Sequence, residues 1–123
     1  MDAWWGQYRA TDAGYVNERQ LGGAGDDEAF AVAADPAGNI YIAGSNTAPM
    51  YVHFQGGYDK FISKYDSGGT RQWIKNIGSA GNEVGLAVAA GASAVYVVGG
   101  TTAALGGPFQ GGGYDLIVAS FVP

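Results

Sequence analysis

The sequence predicts an all-β fold built of β-propeller blades, four antiparallel strands to a blade and about two blades to the chain, with the ring completed by other chains. Three observations predict it: an internal repeat offset by 55 to 56 residues, short apolar runs separated by glycine-rich turns, and no long stretch with apolar residues at helical spacing.

Composition sets the outer limits. The 123 residues are 47% hydrophobic and 13% aromatic, enough for the core of one small domain. The 22 glycines follow no three-residue period, which excludes collagen, and they are spread between apolar runs rather than gathered into a linker. Six basic residues against eleven acidic ones give a net charge of -5, and the cations do not cluster, so no nucleic-acid partner is expected. No apolar run approaches the roughly 20 residues that span a bilayer, and no basic segment precedes an apolar one. Neither a membrane anchor nor a signal peptide is therefore expected. With no cysteine there is no disulfide frame and no thiolate site, and the compartment stays open.

The repeat organises the chain. Gly25-Asp-Asp-Glu-Ala-Phe-Ala-Val-Ala-Ala-Asp35 lies over Gly81-Asn-Glu-Val-Gly-Leu-Ala-Val-Ala-Ala-Gly91, and Ile40-Tyr-Ile-Ala-Gly44 over Val95-Tyr-Val-Val-Gly99. Further on, Phe54-Gln-Gly-Gly-Tyr-Asp59 matches Phe109-Gln-Gly-Gly-Gly-Tyr-Asp115 with one added glycine, and Phe61-Ile-Ser-Lys-Tyr65 matches Ile117-Val-Ala-Ser-Phe121. The N-terminus joins the same series, because Asp2-Ala-Trp-Trp-Gly-Gln-Tyr8 aligns with Asp59-Lys-Phe-Ile-Ser-Lys-Tyr65. Residues 1–20 then supply the third and fourth strands of a partial blade, residues 21–77 a complete blade, and residues 78–123 a blade lacking its fourth strand.

Each strand has its own warrant. In 29–34, Phe30 and Val32 fall on one face and Ala29, Ala31 and Ala33 on the other, both apolar, so a strand covered on both sides is expected. Asp35-Pro-Ala-Gly-Asn39 has the chemistry of a tight turn, proline presetting φ and glycine admitting a positive one, and it leads into the short apolar strand at 40–43. Phe61 to Tyr65 alternates aromatic and polar, Asp66-Ser-Gly-Gly69 turns the chain, and Gln72-Trp-Ile-Lys75 makes an outer, wetter strand. Loops 45–58 and 100–114 account for the long repeat. The second copy has no Asp-Pro-x-Gly-Asn turn and carries Gly91-Ala-Ser-Ala94 in its place.

The stretches Gly-Asp-Asp-Glu-Ala-Phe-Ala-Val-Ala-Ala-Asp, Gly-Asn-Ile-Tyr-Ile-Ala-Gly, Tyr-Asp-Lys-Phe-Ile-Ser-Lys-Tyr-Asp and Gln-Trp resemble the SBBP type of bacterial β-propeller repeat, over nearly the whole chain. Ala-Asp-Pro-Ala-Gly-Asn-Ile-Tyr alone is more weakly similar to NHL-type repeats. The resemblance implies a propeller, an extracellular or cell-surface setting, and no general catalytic site.

A stack of two blades leaves its end faces apolar in water. Residues 76–123 carry only Glu83 and Asp115 as charges, a composition that expects association when exposed. Copies of the chain forming a ring, or a longer protein containing this chain, would satisfy those faces. In a homo-oligomeric ring, strand exchange at 15–20 would fill the missing fourth strand beside 116–121 of a neighbour, while 2–8 and 115–121 compete for one third position. Three copies would supply six blades and four copies eight.

Candidate chemistry sits in the loops. Asp26, Asp27 and Glu28 are either a solvated turn or a site for calcium, with a spacing unlike an EF-hand loop. Gln55, Tyr58 and Asp59, with their copies Gln110, Tyr114 and Asp115, are either turn residues or equivalent pockets for glycans or proteins. Trp4 and Trp5 face opposite ways on a strand and, like Trp73, serve as packing or as aromatic platforms for sugars. His53 is the only histidine, and no nucleophile elbow, phosphate loop or dinucleotide fingerprint accompanies it. The reading is a non-enzymatic binding or scaffold module. A partial propeller hydrolase or lyase, with catalytic residues elsewhere, and a structural fragment of a large surface protein are the alternatives.

Overall fold

The structure is a computed structural model that describes residues 1–48, 58–104, 108 and 110–123, without the side chains of 85 and 86. Nine strands and no helix occur among the described residues: β1 (Ala3–Tyr8), β2 (Tyr15–Leu21), β3 (Asp27–Ala34), β4 (Ile40–Asn46), β5 (Asp59–Tyr65), β6 (Arg71–Ile77), β7 (Glu83–Ala90), β8 (Val95–Thr101) and β9 (Asp115–Phe121). They form three antiparallel sheets in chain order: β1-β2, then β3-β4-β5-β6, then β7-β8-β9. The expected all-β class is met.

The turns form for the reasons the residues suggest. Asp35 accepts from the backbone N–H groups of Ala37 and Asn39 and from the Asn39 side chain, while Gly38 takes φ 85°. Those bonds, the Asn39 side chain first, hold the Asp35 carboxyl below the usual carboxylate range. Asp66 organises the next turn in the same way, accepting from Gly68 and Thr70 with Gly69 at φ 82°. Gly91-Ala-Ser-Ala94 turns as well, on one backbone bond from Gly91 N–H to the Ala94 carbonyl at 2.9 Å.

Alternation along each strand sends side chains to two faces, and in the middle sheet both carry a core. Ile40, Ile42, Phe61 and Tyr65 pack on Ala3, Trp5 and Leu21 of the first sheet. Trp5 meets Tyr65 edge to face at 5.0 Å between ring centroids. From the opposite face Tyr41, Ala43 and Ile62 pack on Val95 and Val97 of the third sheet, with Trp73 held between Tyr41 and Phe121. We call these the N-ward and C-ward faces.

Coverage stops short at β3. Ala31 joins the C-ward core, but Phe30 is 48% and Val32 65% exposed, against the expectation of a strand covered on both sides. The physical reason is geometric. The first sheet is only two strands wide, aligned with the third and fourth positions of the middle sheet, so it reaches β3 only through the edge of β1 and leaves an open groove over Phe30 and Val32.

Candidate functional site

Two loop regions carry the polar residues that the repeat pairs, and the structure treats them differently. Leading into β7, Glu83 is fully buried and its carboxylate accepts from Ser79 N–H at 2.9 Å, from the Ser79 hydroxyl, and from Thr101 Oγ1 at 2.8 Å. Asp27 holds the equivalent place before β3, accepting from Gly23 N–H at 2.7 Å, and burial pushes its carboxyl up from the ordinary range. Each of these acids clips the loop that enters its strand. Their neighbours repeat the device: Asp26 and Asn82 donate backbone N–H to Thr47 and Thr102 hydroxyls and accept through their carbonyls from the same threonines.

Strand alternation therefore separates the candidate calcium ligands. Asp27 points inward, whereas Asp26 and Glu28 are exposed, and Asp26 Oδ1 takes the N-terminal ammonium at 2.7 Å. Among the described residues no three acidic, histidine or cysteine side chains converge on a metal position.

The paired loop residues divide too. Tyr58 is half-exposed; its N–H donates to Asn82 Oδ1 at 3.0 Å and its carbonyl accepts from Glu83 N–H, which ties that loop to the third sheet. Asp59 is buried, and Gly78 passes so close that a Cβ there would sit 2.5 Å from its carboxyl carbon. Gln55 and His53 lie outside the described residues, as do Phe54 and Phe109. In the second copy Asp115 accepts from Gln110 N–H at 2.6 Å, Gln110 is exposed, and Tyr114 lies over Gly100, where a Cβ would sit 3.2 Å from the ring. Beside that ring, Val84, Gly99, Gly100, Asp115 and Leu116 line a mostly apolar cleft of about 400 Å³ open to solvent.

A second open region lies at the other end of the molecule. Trp4, Gly6 and Tyr8 of β1 and Phe30, Val32 and Ile42 of the middle sheet line a groove of about 340 Å³ along an unpaired edge of β1. Trp4 is 64% and Trp5 7% exposed, the opposition that adjacent strand positions impose. The Trp5 indole N–H, buried at the wall of this groove, meets no acceptor among the described residues.

Sequence reading placed Tyr114 and Asp115 at the first surface and Trp4 and Trp5 at the second, but missed the apolar neighbours Val84, Leu116, Phe30 and Val32 that complete them. The offset alignment held the signal: Tyr41 and Ile62 recur as Tyr96 and Val118, and only the first pair has a sheet beside it. It also missed Lys60, buried on the C-ward face with an ammonium that finds no partner among the described residues. Burial lowers its pKa to about 8, with Glu83 partly opposing the shift.

Comparison with known proteins agrees with the repeat. Residues 19–47 match the family model of the SBBP β-propeller repeat, a stretch that begins in β2 and runs through β3 and β4. No curated protein matches the chain.

Proposed function

We propose that the protein is a non-enzymatic propeller module that closes into a ring with copies of itself and offers its blade loops to a ligand. The carrying observation is the pair of unmatched faces. The middle sheet has a core on both sides, while Trp4 and Tyr8 on the N-ward face of the first sheet and Tyr96, Leu116 and Val118 on the C-ward face of the third are all more than half exposed. Full burial of such side chains stabilises by about 1.5–3 kcal/mol each, so pairing the faces favours association. Three or four copies give a ring within the usual span of roughly four to eight blades.

Light scattering at micromolar concentration tests the assembly. Three or four chain masses are expected; a stable single-chain mass would overturn the ring. For the ligand, the half-exposed Tyr58 at the loop entering β5 supports recognition of a sugar or peptide surface. Glycan-array binding without turnover, lost in Tyr58→Ala, is the expected result.

A further inference from the structure

We propose that β9 is a placeholder: it occupies the edge of β8 that β1 of a second copy takes when the chain assembles. The inference rests on the ring reading and states which strands exchange.

Two strands of this chain fit one position. β1 and β9 both align with β5, through Asp2, Asp59 and Asp115 at their starts and Tyr8, Tyr65 and Phe121 at their ends. In the middle sheet β5 pairs with β4 so that Tyr41 faces Lys64 and Ala43 faces Ile62. β9 pairs with β8 in the same register, Tyr96 facing Ser120 and Val98 facing Val118. Placing β1 of a second copy there sets Gln7 against Tyr96 and Trp5 against Val98. β1 is free for this, because among the described residues it pairs with β2 alone and its other edge is open.

The exchange covers Tyr96 of one copy and Phe30 and Val32 of the next together. A composite blade of β7 and β8 from one copy with β1 and β2 from the next has four strands. Its C-ward face then carries Tyr96 and Val98 beside Trp5 and Ala3, and lies over Phe30 and Val32 of the second copy. Within one chain the equivalent contact already exists: Tyr41, Ala43 and Ala31 cover Val88 and Ala90, the counterparts of Val32 and Ala34. On the N-ward face Trp4 and Tyr8 replace Ile117 and Phe121 against the middle sheet.

Competition between the two strands is decided by what each loses. β1 carries Ala3 and Trp5 into the core with Leu21, Phe61 and Tyr65, so removing it from β2 opens that core. β9 has no residue in the fully buried class; Leu116 is 77% and Val118 63% exposed. Leaving β8 therefore costs β9 less, and its two exposed apolar side chains leave the sheet with it.

Because the natural chain has no cysteine, paired cysteines report the exchange cleanly. In Tyr96→Cys, Ser120→Cys the oxidised chain has β9 locked on β8 and should keep the mass of one chain, while the same chain reduced assembles, at higher concentration than the unmodified chain because the Tyr96 ring is gone. In Tyr96→Cys, Gln7→Cys oxidation should join different chains into covalent multimers. Hydrogen exchange on the unmodified chain gives a readout free of substitutions: as concentration rises, amides of 115–121 lose protection and those of 3–8 gain it. An oxidised Tyr96–Ser120 lock that assembles as well as its reduced form, or 115–121 staying protected in the ring, overturns the placeholder and leaves the ring standing. An unmodified chain that stays single overturns both.

Discussion

β4 and β8 are nearly the same strand twice, Ile-Tyr-Ile-Ala-Gly and Val-Tyr-Val-Val-Gly, each antiparallel to the strands on both its sides. β4 is buried at every position; β8 is buried at Val95 and Val97, whereas Tyr96 is 51% exposed against 0% for Tyr41. Alternation decides which side chains share a face, and a neighbouring sheet decides whether that face is dry. A blade's stability is thus only partly its own, as nearest-neighbour coupling in stacked repeats requires.

The sharpest way to break the comparison is to truncate both tyrosines. Tyr41→Ala leaves a hole between two sheets, strips the Asp35 carboxylate of a hydroxyl donor at 3.0 Å, and should cost roughly 3–5 kcal/mol in urea unfolding. Tyr96→Ala should cost the single chain no more than about 0.5 kcal/mol, as surface changes do, while weakening the association proposed above. Equal costs at the two positions would mean that the third sheet's C-ward face is covered within a single chain.

Much of this was legible beforehand, for a stated physical reason. Period-two alternation, the repeat offset and the two Asp-led turns are local or pairwise signals, and they placed nine strands and the register of copy on copy. Coverage is not local. Nothing in the residues around Phe30 says that the sheet beside it is two strands wide. The polar residues misled for a related reason: Asp27 reads as a loop carboxylate beside Asp26 and Glu28, but strand geometry turns it and its repeat equivalent Glu83 inward, each to accept from the backbone N–H four residues earlier. Lys60 was invisible because alternation gives its face but not its surroundings.

A smaller contrast separates the two hairpin turns. Asp35 gathers three donors within its turn besides the Tyr41 hydroxyl, whereas 91–94 relies on one backbone bond. Asp35→Ala should lower Tm by several degrees, and Ser93→Ala should leave it unchanged. Grafting Asp-Pro-Ala-Gly-Asn in place of the second turn should raise Tm if turn chemistry, rather than sheet stacking, limits that hairpin. Thermal unfolding of the three chains measures it.

The least effect expected comes from the position that differs most in kind: Ala3, Lys60 and Leu116 are repeat equivalents, and only Lys60 is a charge held between two sheets. Its ammonium is free of hydrogen-bond partners among the described residues, and desolvation, outweighing the attraction of Glu83, depresses its pKa to about 8 from the ordinary 10.5. The unfolded chain therefore binds the proton more tightly than the folded one. Between about pH 8 and 10.5 unfolding takes up a proton, so stability rises with pH across that window and is flat below it as far as this group is concerned. Lys60→Leu, which installs the residue of the third sheet, should stabilise at pH 7 by about 1 kcal/mol, at the low end for replacing a buried charge. Glu83 keeps its serine and threonine donors, so the substitution leaves no carboxylate stranded. The rise with pH should vanish in the variant. A natural chain whose stability is level from pH 8 to 10 would place the ammonium in water and erase this difference between the sheets.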